Sequence, residues 1–203
     1  MLGKHDDVAE CVRALMFENE GNDEYPYSVH GTGFLLEYRD VLFVVCAKHS
    51  MNDRKPTELL IRSRIAQDTF LPIQEMITPS AILEKDQDAL DFLYFKVAKE
   101  KLGFAEPCWR IESSFSPCLL HAGNTLYFCG YPSDNQDIAY EHQKVSLSLL
   151  DGSAVYHGAS ILENCHQVEL VNVYAKCLDG FSGSPVFRVT TLKPDTTSLR
   201  WLG

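Results

Sequence analysis

The chain is built from short apolar runs separated by turn residues, and this rhythm limits its folds more than any other feature. Val41-Leu42-Phe43-Val44-Val45-Cys46-Ala47 is the plainest run. It is rich in β-branched and aromatic residues, bounded by polar ones, and reads as a strand buried in a core. Gly31-Thr32-Gly33-Phe34-Leu35-Leu36 precedes it across a polar turn at Glu37-Tyr38-Arg39-Asp40. Further segments predict strands over residues 11–18, 32–37, 41–47, 57–62, 71–76 and 92–97, with a polar loop at 22–27. A second set covers 125–130, 140–150, 154–157, 167–174, 185–189 and 198–202, and 109–117 crosses between the sets. Helix is minor, with a short turn at 48–54. No repeat or low-complexity tract interrupts the pattern, which is that of an all-β barrel or sandwich.

Composition narrows the functions. The 203 residues are 45% hydrophobic and 23% charged, as in soluble globular proteins, and suffice for one domain or two small, closely packed ones. A net charge of −10 argues against a nucleic-acid platform, which needs basic stripes. No apolar run is long enough to span a membrane. The start, Met1-Leu2-Gly3-Lys4-His5-Asp6-Asp7, lacks the apolar core of a secretion signal. Seven scattered cysteines without a Cys-x-x-Cys pair fit reduced thiols in a cytoplasm. Cys46 and Cys129 read as small core residues. Neither Cys118, His121 and Cys129 nor Cys165 and His166 has the spacing of a structural zinc site. No metal or cofactor is expected.

The chemistry concentrates in Gly180-Phe181-Ser182-Gly183-Ser184-Pro185-Val186. Glycines on both sides of one serine allow a bend that points two N–H groups at one spot beside a hydroxyl, the makings of an oxyanion hole. The same residues also suit an ordinary Gly/Ser/Pro hairpin turn. A nucleophilic serine needs a base oriented by a carboxylate. His49, where the 41–47 strand leaves the core, is the candidate base; a surface or satisfied core histidine is the other reading. Asp91 opens the apolar segment Phe92-Leu93-Tyr94-Phe95-Lys96-Val97 and would be costly to bury without a partner such as an imidazole N–H. Asp86 and Asp88 read as solvated loop acids. The order also discriminates. An α/β-hydrolase runs Ser, acid, His, but the last histidine is His166, before Ser182. The subtilisin order would need Asp40, which sits in a tight turn.

Together these segments resemble the trypsin/chymotrypsin-like serine peptidases. Gly31-Thr32-Gly33-Phe34 and Val44-Val45-Cys46-Ala47-Lys48-His49 are similar to that family's Gly-x-Gly strand and its histidine segment. Asp91-Phe92-Leu93-Tyr94-Phe95-Lys96-Val97 is similar to its Asp strand, and Gly180-Phe181-Ser182-Gly183-Ser184-Pro185 to its Gly-Asp-Ser-Gly-Gly-Pro loop. Leu126-Tyr127-Phe128-Cys129-Gly130-Tyr131-Pro132 looks like a Gly-Tyr/Phe-Pro turn of bacterial intracellular and periplasmic members. Asp91 follows His49 by 42 residues and precedes Ser182 by 91, spacings of the size the family shows.

The resemblance implies an all-β fold of two antiparallel six-stranded barrels. Residues 1–108 would carry His49 and Asp91, and residues 109–203 would carry Ser182, facing His49 across the cleft. It implies catalytic His49, Asp91 and Ser182, an oxyanion hole from the N–H groups of Gly180 and Ser182, and Lys176 near the specificity pocket, where it would favour acidic side chains; an exposed loop lysine is the other reading of Lys176. Three positions depart from the family pattern. Phe181 replaces the Asp that receives a new N-terminus after zymogen cleavage, Ser184 replaces the second glycine, and Ser50 replaces a disulfide cysteine. Only 21 residues follow Ser182, so the second barrel is expected to be truncated and the chain to be part of a larger intracellular protein. The expected function is serine endopeptidase, with a polypeptide substrate and further domains or a partner protein completing the fold. The alternative is a catalytically impaired trypsin-like domain serving as a binding or sensor module.

Overall fold

The computed structural model describes residues 8–51, 53–66, 68–79, 91–111, 119–139, 144–161, 165–193 and 196–201. The expected acids Asp86 and Asp88, Cys118, and parts of the 109–117 and 140–150 segments lie outside these residues. The molecule is all-β. The N-terminal strands are β1 (Val12–Glu18), β2 (Tyr27–Tyr38), β3 (Val41–Cys46), β4 (Leu59–Leu60), β5 (Ile73–Ile77), β6 (Leu93–Val97) and β7 (Trp109–Ile111). They form one sheet in the order β4-β1-β2-β3-β6-β5, with β7 added in parallel to β2. Past β4 the chain pairs back on the approach to β5. Leu71 N–H donates to Ile61 O and Ser63 N–H to Thr69 O, around an antiparallel bridge between Arg62 and Phe70. The two outer strands are thereby joined and the sheet curls back on itself as a six-stranded barrel.

Alternation explains why the apolar runs look continuous. Leu15, Phe17, Leu35, Leu42, Val44, Leu93, Phe95 and Val97 fill the barrel interior. Val12, Ala14, Met16, Phe34, Leu36 and Val45, on the opposite faces of β1, β2 and β3, pack with Cys129, Tyr131 and Phe187 of the second half. A strand covered on both faces has no solvent side to carry polar residues. β6 is buried on one face and half-buried on the other, and its burial alternates strictly. The β2–β3 hairpin closes on Arg39 and Asp40, both at positive φ (49° and 63°), a two-residue turn whose twist matches the strands.

The C-terminal strands are β8 (Thr125–Gly130), β9 (Gln136–Ala139), β10 (Lys144–Leu147), β11 (Leu150–Ala159), β12 (His166–Val173), β13 (Val186–Lys193) and β14 (Thr196–Trp201). β9 and β10 form a separate hairpin, and the others form a sheet ordered β12-β11-β8-β13-β14. Among the described residues no strand joins β12 to β14, so this sheet curls without closing.

One polar group is buried inside the first half. Arg13 (4% exposed) donates from Nη2 to Glu106 Oε2 at 2.7 Å, and Ser63 Oγ donates to Glu106 Oε1. Arg64 N–H reaches the same carboxylate at 3.2 Å. Removing one member leaves the other as an uncompensated interior charge. Glu106→Ala is therefore expected to cost about 3–5 kcal/mol in denaturant unfolding, and an added Arg13→Met should recover most of that loss. A Glu106→Ala midpoint equal to wild type would contradict the buried pair.

Candidate active site

The ladder that joins β3 to β6 decides where the histidine and aspartate go. Cys46 pairs with Leu93 at the ends of these strands. The residues leaving β3 and those approaching β6 are therefore neighbours. After β3 the chain makes a 3₁₀ turn over Lys48–Met51. Asp91 binds that turn through its backbone and its side chain. Lys48 N–H donates to Asp91 O at 3.2 Å, and His49 N–H donates to Asp91 Oδ1 at 2.9 Å. The other carboxylate oxygen, Oδ2, accepts from His49 Nδ1. One carboxylate thus fixes both the main chain and the ring of His49, and it does so half-exposed rather than buried as its sequence position suggested.

The serine arrives from the second half on a loop between β12 and β13. Gly180 and Gly183 have φ of +92° and +86°, values other residues rarely adopt. Both also lie against neighbouring backbone. A Cβ at Gly180 would collide with Tyr131 O, and one at Gly183 would collide with Thr32 O and come within 2.8 Å of Ala47 N. Glycine at 183 lets the loop touch β2 and the end of β3 at once, which delivers Ser182 to the histidine. Ser182 Oγ lies 2.7 Å from His49 Nε2. With Nδ1–H donated to Asp91, Nε2 is the ring's acceptor and the serine hydroxyl donates to it. His49, Asp91 and Ser182, read from separate segments, come together in one hydrogen-bonded row.

Loop carbonyls are engaged while several loop N–H groups, those of Gly180 and Ser182 among them, make no hydrogen bond among the described residues. Ser133 N–H donates to Asp179 O at 2.8 Å, and Ser184 N–H donates to Phe181 O at 2.8 Å. A cleft of about 460 Å³ lies beside the row, lined by His49, Asp91, Phe92, Phe34, Pro185 and Val186 among others. Cys46 lines it too, but burial, then the charge of Asp91, pushes its thiol up to about 12. It is no rival nucleophile, since the thiolate is the reactive form.

Two of the three departures from the family pattern, Phe181 and Ser50, have a local explanation. Phe181 stacks edge-on against Phe128, ring centroids 5.3 Å apart. Its position is an apolar one with no site for an ammonium. Ser50 is buried and faces Gly31, where a Cβ would lie 3.1 Å from the Ser50 Cβ; neither residue offers a thiol. Lys176 is exposed on the loop before the serine, its N–H donating to Asp134 Oδ2 at 2.6 Å. That carboxylate was not anticipated from the sequence. Thr32, which the sequence marks only as a strand residue, is wholly buried and bonded to the serine loop; a hydroxyl between two glycines is its signal. Cys129 is buried in β8, Cys165 is half-buried, and the described residues contain no cluster of three metal-ligating side chains.

No family model matches the sequence, and no curated protein matches it either. Solved structures do match. Human heparin binding protein aligns over 99% of this chain and 90% of its own, with a TM-score of 0.56 at 11% identity. Mouse neuropsin, a serine protease expressed in the limbic system of the brain, aligns over 96% of this chain and 89% of its own, with a TM-score of 0.56 at 12% identity. With so few residues shared, the likeness lies in the path of the backbone: this chain has the fold of the trypsin-like serine proteases.

Proposed function

We propose that this chain is a serine endopeptidase that cleaves polypeptides through an acyl-enzyme, acting in the cytoplasm as a domain of a larger protein. The observation that carries this reading is the bridge made by the His49 ring, from the Asp91 carboxylate to Ser182 Oγ at 2.7 Å. A serine acquires nucleophilicity from such a base, and the base gets its tautomer from such an acid. Ser182 Oγ would attack the scissile carbonyl carbon as its proton passes to His49 Nε2. Asp91 would stabilise the imidazolium. The free N–H groups of Gly180 and Ser182 would receive the oxyanion, about 3–4 kcal/mol per donor. Nε2 would then protonate the leaving amine, and a water activated by the same nitrogen would release the acid.

Heparin binding is not carried over from the human neighbour. A polyanion would be repelled by a chain of net charge −10. Lys176 remains the candidate for substrate preference, toward acidic side chains, and Asp134 against its backbone reduces that preference. The test is incubation with a denatured proteome-derived peptide library and mass-spectrometric mapping of new termini. Wild type should produce internal cleavages, richer after Glu and Asp than after Arg, and Ser182→Ala should produce none. Cleavage only after Arg would remove Lys176 from the reading. No cleavage by wild type would count against the endopeptidase itself.

A further inference from the structure

We propose that Thr32 is a positioning residue for the proposed acyl transfer: it locks the oxyanion loop in place with neutral hydrogen bonds. The inference rests on the endopeptidase reading above. Thr32 lies on β2, just after a bulge at His30, where Leu15 pairs with Gly31 and Met16 with Val29. It is 0% exposed. Its Oγ1 donates to Gly180 O at 2.7 Å and accepts from Tyr131 N–H at 2.9 Å. Its N–H donates to Ser182 O at 2.9 Å. The hydroxyl is thus spent in both directions, and one residue holds the carbonyls on either side of Phe181.

The consequence follows from peptide planarity. In a trans peptide the N–H points opposite to the carbonyl. Four successive carbonyls are taken: Asp179 by Ser133, Gly180 by the Thr32 hydroxyl, Phe181 by Ser184, and Ser182 by the Thr32 amide. The two peptides carrying the free N–H groups of Gly180 and Ser182 therefore alternate with the two that Thr32 holds. Gly180, at φ +92°, is the residue at which a peptide flip is easiest. Among the described residues no ion pair restrains it, and the neighbouring Phe181 packs on Phe128. Threonine suits the task because its branched Cβ restricts χ1 and aims the hydroxyl. Loss of that hydroxyl would free the 180–181 peptide to turn, and the change at Gly180 and Phe181 would shift the flanking peptides that carry the Gly180 and Ser182 donors.

The test compares Thr32→Val, which keeps the shape and removes the hydroxyl, with Thr32→Ser, which keeps it. Thr32→Val should slow fluorophosphonate labelling and p-nitrophenyl acetate hydrolysis about a hundredfold, in kcat rather than KM, by the worth of one oxyanion donor. Thr32→Ser should stay within about threefold of wild type, as a retained hydrogen-bonding partner would dictate. Affinity for a peptide aldehyde, which forms a tetrahedral adduct, should fall in step with kcat. If Thr32→Val does not fold, Thr32→Ala measured against Thr32→Ser carries the same comparison. Wild-type labelling by the hydroxyl-less variants, or a loss that only follows the unfolded fraction, would overturn the role of Thr32 while leaving the endopeptidase standing. A wild type that takes neither probe nor ester would defeat the endopeptidase reading and Thr32 with it.

Discussion

Ser182→Ala should lower kcat for peptide hydrolysis about a millionfold, the loss typical when a triad nucleophile is removed, without changing the fold. The side chain is half-buried, and its Oγ is hydrogen-bonded to the exposed His49 ring rather than to the core. What holds the loop is the Thr32 hydroxyl on Gly180 O together with main-chain bonds, Thr32 N–H to Ser182 O and Ser184 N–H to Phe181 O. None of these bonds involves the Ser182 hydroxyl. The thermal midpoint should therefore stay within a few degrees of wild type while activity disappears. A variant retaining even a hundredth of the activity would mean that another group attacks the substrate. Cys46 offers no escape, because its buried thiol is pushed up to about 12.

Asp91→Asn should cost about ten-thousandfold in kcat, as loss of the orienting carboxylate does in such triads. The loss comes from a tautomer. Asp91 Oδ2 accepts from His49 Nδ1, and Oδ1 accepts from His49 N–H at 2.9 Å. Asparagine can keep one acceptor. If its oxygen stays with the backbone N–H, its NH₂ faces Nδ1 and donates to it. The ring proton then moves to Nε2, the nitrogen that must accept from Ser182. The site would look intact and be protonated on the wrong side. Asp91→Ala should cost a similar factor, by loss of orientation. Equal kcat for Asp91→Asn and wild type would exclude Asp91 as the orienting acid.

Much of this was readable because the chemistry falls at the ends of apolar runs. β3 and β6 are short, unbroken and bounded by polar residues, so the places where they leave the core, and with them His49 and Asp91, could be picked out. Gly180 and Gly183 signalled the serine loop because their conformation and close contacts admit no side chain. What escaped notice depends on contacts between distant segments. β2 begins at Tyr27, before the expected start, because a ladder to β1 pairs Tyr27, Ser28 and Val29 and passes the bulged, exposed His30; local polarity read as loop. Closure of the first barrel runs through residues 61–63 and 69–71, too short to show a period. Thr32 lies 148 residues from the carbonyl it holds. No local pattern marks a pairing of that span.

The most direct test is a fluorophosphonate reaction read by mass spectrometry of the digested protein. The phosphonyl group should be found on Ser182 alone, in stoichiometric yield, and on no residue of His49→Ala under the same conditions. An adduct elsewhere, or equal labelling of Ser182 with and without His49, would contradict a nucleophile made by the convergence of these three side chains.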